Sequence, residues 1–188
     1  MKIGVISDSH KNIEYLRNAI DHLKDIEKVD EIIHLGDDYS DIDQIKGPLL
    51  SFLFKFTPII RVPGVYDPEY KDPKIMNRAM IEHDGWKFFL SHTLTKHEND
   101  LPEDIDPELA STSLGVDVFL YGHTHIPKIE EKGRIFYINP GHLKDDDKRG
   151  FPPSFAVLDI AKEEIKVKII GLKDKKVLDE ISILSVTD

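Results

Sequence analysis

Apolar positions in the first half of the chain follow two periods. Residues 2–7 form a near-continuous apolar run, the pattern of a strand buried on both faces. Ile13, Leu16, Ala19, Ile20 and Leu23 then recur at helical spacing, which predicts a helix returning the chain across the sheet. Residues 31–35 and 58–62 predict a second and a third short strand. Between them Ile42, Ile45, Leu49 and Leu50 keep helical spacing until Gly47-Pro48 disturbs it.

The second half reads as hairpins. Asp84-Gly85 is a turn signal between strands at 79–83 and 86–90. Asp106-Pro107-Glu108 supplies an N-cap, a proline at the first helical position and an acidic first turn, so a short helix starts there, and Gly115 ends it. A buried strand follows at 117–121. Short runs at 128–131, 134–138, 155–160 and 165–170, with turns at Lys132-Gly133 and Lys162-Glu163, predict antiparallel or mixed pairing. A chain of 188 residues suits one domain spanning 1–188, and this order of elements predicts a layered α/β sandwich whose sheets meet in a central core.

Polar residues concentrate where the strands end. Asp8-Ser9-His10 follows the first strand, Gly36-Asp37-Asp38 the second and Pro63-Gly64-Val65-Tyr66-Asp67 the third. Ser91-His92 closes the strand that begins at Trp86, and Gly122-His123-Thr124-His125 the one that begins at Asp117. Ligands of open α/β sheets bind outside the carboxyl ends of the strands, so these segments are placed to converge. In Asp8-x-His10 and His123-x-His125 the side chains two apart point the same way on extended chain, and each pair can address one point. Imidazole with carboxylate suits Mn, Fe, Co, Ni or Zn, whereas Ca or Mg would lean on oxygen alone. Two such ions, bridged by one carboxylate and one water, can generate a hydroxide at neutral pH and clamp a phosphoryl group for in-line attack.

Composition narrows this picture. Cysteine is absent, so any metal site is built from nitrogen and oxygen. With 40% hydrophobic and 32% charged residues the chain has a globular profile. It shows neither a membrane-length apolar run nor the features of a signal peptide, so a cytoplasmic location and no membrane partner are the expectation. A formal charge of −10 disfavours a nucleic-acid partner, and an enzyme acting on phosphate would need a local positive centre such as divalent ions.

Each segment alone has a plainer reading. A Gly-Asp pair after a strand is usually a turn, and a single histidine usually a hydrogen-bonded core residue. That core role is assigned to His22, His34, His83 and His97, with His34 set apart because it lies within the second strand just before Asp37. His142 is expected on a surface loop ahead of a place near the site, and the segment 93–106 is expected to overhang the site. What one mechanism explains is the joint order of the segments.

With these residues in this order, the sequence resembles the calcineurin-like metallophosphoesterases, and within them the small bacterial and archaeal phosphodiesterase branch. Gly122-His123-Thr124-His125 followed by Asn139-Pro140-Gly141 carries the resemblance to that branch, and the motifs run from residue 1 to about residue 170. The resemblance implies an α/β fold, a four-layer α/β/β/α sandwich with two mixed sheets and a metal site at strand carboxyl ends. It also implies metal ligands that form the catalytic set: Asp8, His10, Asp37 and His125 for a first ion, and Asp37, His92 and His123 for a second, with Asp37 bridging. Two divalent metal ions (Mn, Ni, Fe or Zn) and a small phosphoester substrate follow, with a phosphodiester ahead of a monoester. Relatives often form dimers or tetramers, which leaves a homo-oligomer open.

Two departures matter. Where the family has Gly-Asn, with the Asn on the second metal and the phosphate, this chain has Gly64-Val65, and the next position, a general-acid His in phosphatase branches, is Tyr66. More mildly, Ser91 replaces a usual Gly and His142 a common Ser. A non-catalytic scaffold, like the retromer subunit of the same superfamily, is the alternative. Six of seven expected ligands are kept, which favours the enzyme.

Overall fold

The computed structural model describes residues 1–45 and 57–185. In chain order it contains β1 (Lys2–Ile6), α1 (Ile13–Asp25), β2 (Glu31–His34), α2 (Asp41–Ile45), β3 (Ile59–Arg61), a 3-10 turn (Pro68–Lys71), β4 (Arg78–His83) and β5 (Trp86–Ser91). There follow α3 (Pro107–Ser113), β6 (Val118–Tyr121), β7 (Lys128–Lys132), β8 (Ile135–Asn139), β9 (Ser154–Ile160), β10 (Glu164–Gly171) and β11 (Val177–Leu184). A six-stranded sheet has the order β11-β10-β9-β1-β2-β3, and a five-stranded sheet the order β4-β5-β6-β8-β7. Both are mixed. β1, β2 and β3 are parallel while β9, β10 and β11 pair antiparallel, and β5, β6 and β8 are parallel between antiparallel neighbours β4 and β7.

Strand alternation builds the layers. Ile3 and Val5 of β1 join Phe88 and Leu90 of β5, Val118 and Leu120 of β6, and Ala156 and Leu158 of β9 in a core between the two sheets. The other face of the six-stranded sheet, through Ile6, Ile32, Phe155 and Val157, packs on Leu16, Ala19, Ile20 and Leu23 of α1 and on Ile42 and Ile45 of α2. Phe89, Phe119 and Tyr121, on the outer face of the five-stranded sheet, cluster with Ala110 of α3. The result is helix, sheet, sheet, helix, with both faces of each central strand dry. That explains why those strands read as unbroken apolar runs. Helix α1 begins where the Asn12 side chain accepts from the Tyr15 N–H at 3.1 Å, as an N-cap does.

The expected strands and helices are present, with ends shifted by a residue or so. The helical spacing that reaches Leu49 and Leu50, and the Gly47-Pro48 break, lie outside the described residues. β11 and the 3-10 turn were not expected. Among the described residues no helix is long and apolar enough to cross a membrane.

Candidate metal centre

Backbone pairing carries the sequence-distant segments to one end of the sandwich. Asp8 N–H donates to Gly36 O at 2.9 Å and His10 N–H to Asp37 O at 3.2 Å, which locks the loop after β1 to the loop after β2. Gly122 N–H donates to His92 O at 3.1 Å, which does the same for β6 and β5. The two sheets meet where the His123 N–H donates to Asp8 Oδ2 at 3.1 Å.

The six expected side chains form two groups. Donor atoms of Asp8, His10, Asp37 and His125 lie within 4.8 Å of one another, as do those of Asp37, His92 and His123. The imidazoles pair off, His10 Nε2 with His125 Nε2 at 3.0 Å and His92 Nε2 with His123 Nδ1 at 3.2 Å. Asp37 belongs to both groups, with Oδ2 at 3.7 Å from His10 Nε2 and Oδ1 at 3.4 Å from His92 Nε2.

The donor set fits divalent metal ions. His92 Nδ1 lies 2.7 Å from the Leu35 carbonyl, so its N–H is spent there and, in the neutral ring, Nε2 turns a lone pair toward Asp37. His125 Nδ1 lies 2.5 Å from Asp147 Oδ2, which likewise leaves Nε2 as an acceptor. That Nε2 faces Asp8 Oδ1 at 3.2 Å, and Asp8 Oδ1 is buried without a hydrogen-bond partner among the described residues. With neutral imidazoles, acceptors turned toward one another call for a cation between them, a place that a metal ion or a proton on Nε2 can fill.

Charge is finely balanced here. Burial works against the ionised forms of Asp8 and Asp37, yet His125 and His92 beside them hold both carboxyls below their usual range. Burial also opposes a charged His92, but its hydrogen bond to Asp37 and the charge of Asp8 outweigh it and raise the imidazole to about 9. For His10 and His123 burial wins and the pKa is lowered, while for His125 burial is overcome by Asp8 and Asp147 and the pKa is raised.

Local backbone and small residues make this crowding feasible. Asp8, His10, Asp37, His123 and His125 all adopt φ between 46° and 65°, a left-handed conformation that costs a non-glycine residue roughly 1–3 kcal/mol and clusters at functional sites. A β-carbon on Gly64 would overlap Asp37 Oδ1, and one on Gly122 would overlap Ser7 Oγ. Only glycine lets these turns approach the carboxylates so closely.

Other residues fall differently from expectation. Val65 is buried, and its carbonyl accepts from Asn99 Nδ2 at 2.9 Å, while Tyr66 is 70% exposed with its ring edge-on to His97 at 5.4 Å. The segment 93–106 is tied to the third site segment by that Asn99 bond, and to the elements after it by Asp100, which receives the Tyr70 hydroxyl at 2.6 Å and pairs with the buried Arg78 at 2.9 Å. His34 is buried as expected, whereas His22, His83 and His97 are only half-buried. The surface position expected for His142 is incorrect. It is fully buried, its Nε2–H donates to Phe151 O at 3.1 Å, and its ring lies 5.4 Å from that of His125. Asp147 was not singled out at all, because Asp145-Asp146-Asp147 reads as a solvated charge run and only contact with His125 distinguishes the third aspartate.

Fold and site together define a phosphoesterase of the calcineurin-like type. The chain belongs to the calcineurin-like phosphoesterase superfamily, whose domain model matches residues 1–163. It is 32% identical over 180 residues to a phosphodiesterase of Methanocaldococcus jannaschii, covering 88% of this chain and 97% of that protein. Among solved structures it is similar to YfcE, a phosphoesterase from E. coli, with a TM-score of 0.68, 22% identity and coverage of 96% of this chain and 98% of the other. Vps29 of Chaetomium thermophilum shares the fold with a TM-score of 0.66 at 17% identity, over 100% of this chain and 97% of the other.

Proposed function

We propose that this chain hydrolyses small phosphodiesters with two divalent ions, one held by Asp8, His10, Asp37 and His125 and the other by Asp37, His92 and His123. The observation that carries the reading is the Asp37 carboxylate, whose two oxygens face His10 and His92 at 3.7 and 3.4 Å. Mn, Ni, Fe or Zn suits the nitrogen and oxygen donors. Bound there, the ions would supply an acidified water and positive charge against the phosphoryl oxygens.

The chain's own groups do the rest. Asp37 sets the separation of the two ion positions, and Leu35 O keeps the His92 ring from turning. Gly64 and Gly122 admit the carboxylates. Tyr66, exposed and next to Val65 in the third segment, offers no imidazole to protonate a leaving group, so esters whose leaving groups depart as anions suit the site best. The kinship to a phosphodiesterase over nearly the whole chain supports diesters ahead of monoesters. The scaffold alternative has the fold likeness to Vps29 behind it, and six gathered ligand side chains speak for catalysis instead.

The test compares bis-p-nitrophenyl phosphate with p-nitrophenyl phosphate on chelator-treated protein before and after adding Mn or Ni. Hydrolysis that returns only with metal and favours the diester is expected. Full activity in the metal-free protein would end the proposal.

A further inference from the structure

The loop after β8 is anchored at several points around the first ligand group. Leu143 N–H donates to Asp8 O at 3.1 Å, and Lys144 N–H donates to His142 Nδ1 at 3.0 Å. Asp145 receives the Tyr15 hydroxyl of α1 at 2.5 Å and Lys173 at 2.9 Å. Asp145 and Asp146 are exposed, but the Asp147 side chain is only 2% exposed. Its Oδ1 accepts the Arg149 N–H at 2.9 Å, and its Oδ2 lies 2.5 Å from His125 Nδ1, 3.4 Å from Arg149 Nη1 and 3.6 Å from Lys144 Nζ. Arg149 Nη1 is also 3.1 Å from His125 Nδ1. With the Nδ1 proton in place these are two donors that cannot bond each other, and the Asp147 carboxylate between them accepts from both.

We propose that Asp147 is a positioning residue for the first ion. It fixes the His125 tautomer with the proton on Nδ1, aims Nε2 at the point shared with Asp8 and His10, and makes that nitrogen a stronger donor. The second group is supported differently, since His92 leans on the neutral carbonyl of Leu35. A charged support on one side and a neutral one on the other makes the two ions unequal, the first tight and the second weak. This rests on the reading above, in which His125 ligates a metal ion.

The experiment titrates Mn into metal-free wild type, Asp147→Ala, Asp147→Asn and Asp147→Glu by calorimetry. Visible spectra with Co report the ligand field, and thermal melts of the metal-free proteins report folding. Losing a carboxylate behind a ligating histidine typically weakens metal binding about 10–100-fold. That loss is expected for the tighter ion in Asp147→Ala and Asp147→Asn, with the weaker ion unchanged, an altered Co spectrum and partial recovery in Asp147→Glu. Unchanged affinity for the tighter ion in Asp147→Ala and Asp147→Asn, or equal weakening of both ions, would overturn the positioning role. A wild type that binds no ion would overturn the two-ion reading itself, and this role with it.

Discussion

Gly64 and the Asp37 carboxylate are packed so closely that a β-carbon on residue 64 would overlap Oδ1. The third site segment therefore sets the orientation of a side chain that belongs to both ligand groups. Gly64→Ala should push the carboxylate aside, and a displacement of about 1 Å at a reacting centre can lower the rate about 100-fold. Expected are a loss of that order in kcat/KM on a chromogenic diester and less bound metal, with circular dichroism unchanged. A variant with wild-type turnover would show that the contact does not matter.

Val65 follows directly. Its side chain is buried beside Gly64 and can ligate nothing, so in the proposed two-ion centre the second ion has the Asp37 oxygen but not the amide oxygen that an asparagine would add. Val65→Asn should strengthen that ion by about 1.4 kcal/mol, a tenfold change in affinity. Diester turnover should rise with it, most at low metal concentration. Identical Mn titrations for the two proteins would show that the missing oxygen costs nothing.

Tyr66 bears on the leaving group. A positioned general acid contributes roughly 10²–10⁴-fold. Without one, rates should fall steeply as the leaving-group pKa rises, and Tyr66→His should flatten that dependence by speeding alkyl esters. A series of aryl and alkyl diesters measures it, and a flat wild-type plot would count against the argument.

Much of this architecture is legible in the sequence for a physical reason. Ile3 and Val5 face one core while Gly4 and Ile6 face α1, so β1 has no wet face and reads as an apolar run. Two histidines closing such a strand have few structural reasons to be there, and it is the joint order of the segments at strand ends, with the family resemblance, that singles out Asp8, His10, Asp37, His92, His123 and His125. Asp147 could not be singled out, because it lies on an irregular loop whose charge run resembles solvated surface, and the same loop hides the burial of His142, which stands out in the sequence only as replacing a common Ser. β11 escaped for a related reason. It is an edge strand with Asp179 and Glu180 exposed and Ile183 buried, so its polar interruptions hide the alternation.

His34 predicts an acid sensitivity of the fold. It is fully buried at the end of β2, and burial, only partly opposed by the Asp8 charge, lowers its pKa from 6.5 to about 4. An unfolded chain takes up the proton near 6.5 and the folded one only near 4, so within that window the unfolded state binds more protons. Stability should therefore fall as pH drops through the window, by about 3 kcal/mol in all. Urea midpoints for wild type and His34→Gln across this range isolate the effect. Equal slopes would assign the acid sensitivity elsewhere.

In the proposed centre one carboxylate, that of Asp37, serves two ions. That claim is tested most directly by titrating Mn into metal-free wild type, His10→Ala and Asp37→Ala by calorimetry while following diester hydrolysis. Two ions should bind to wild type, and Asp37→Ala should lose more bound metal than His10→Ala and show no turnover. Equal metal content in the two variants, or hydrolysis retained without Asp37, would contradict the account.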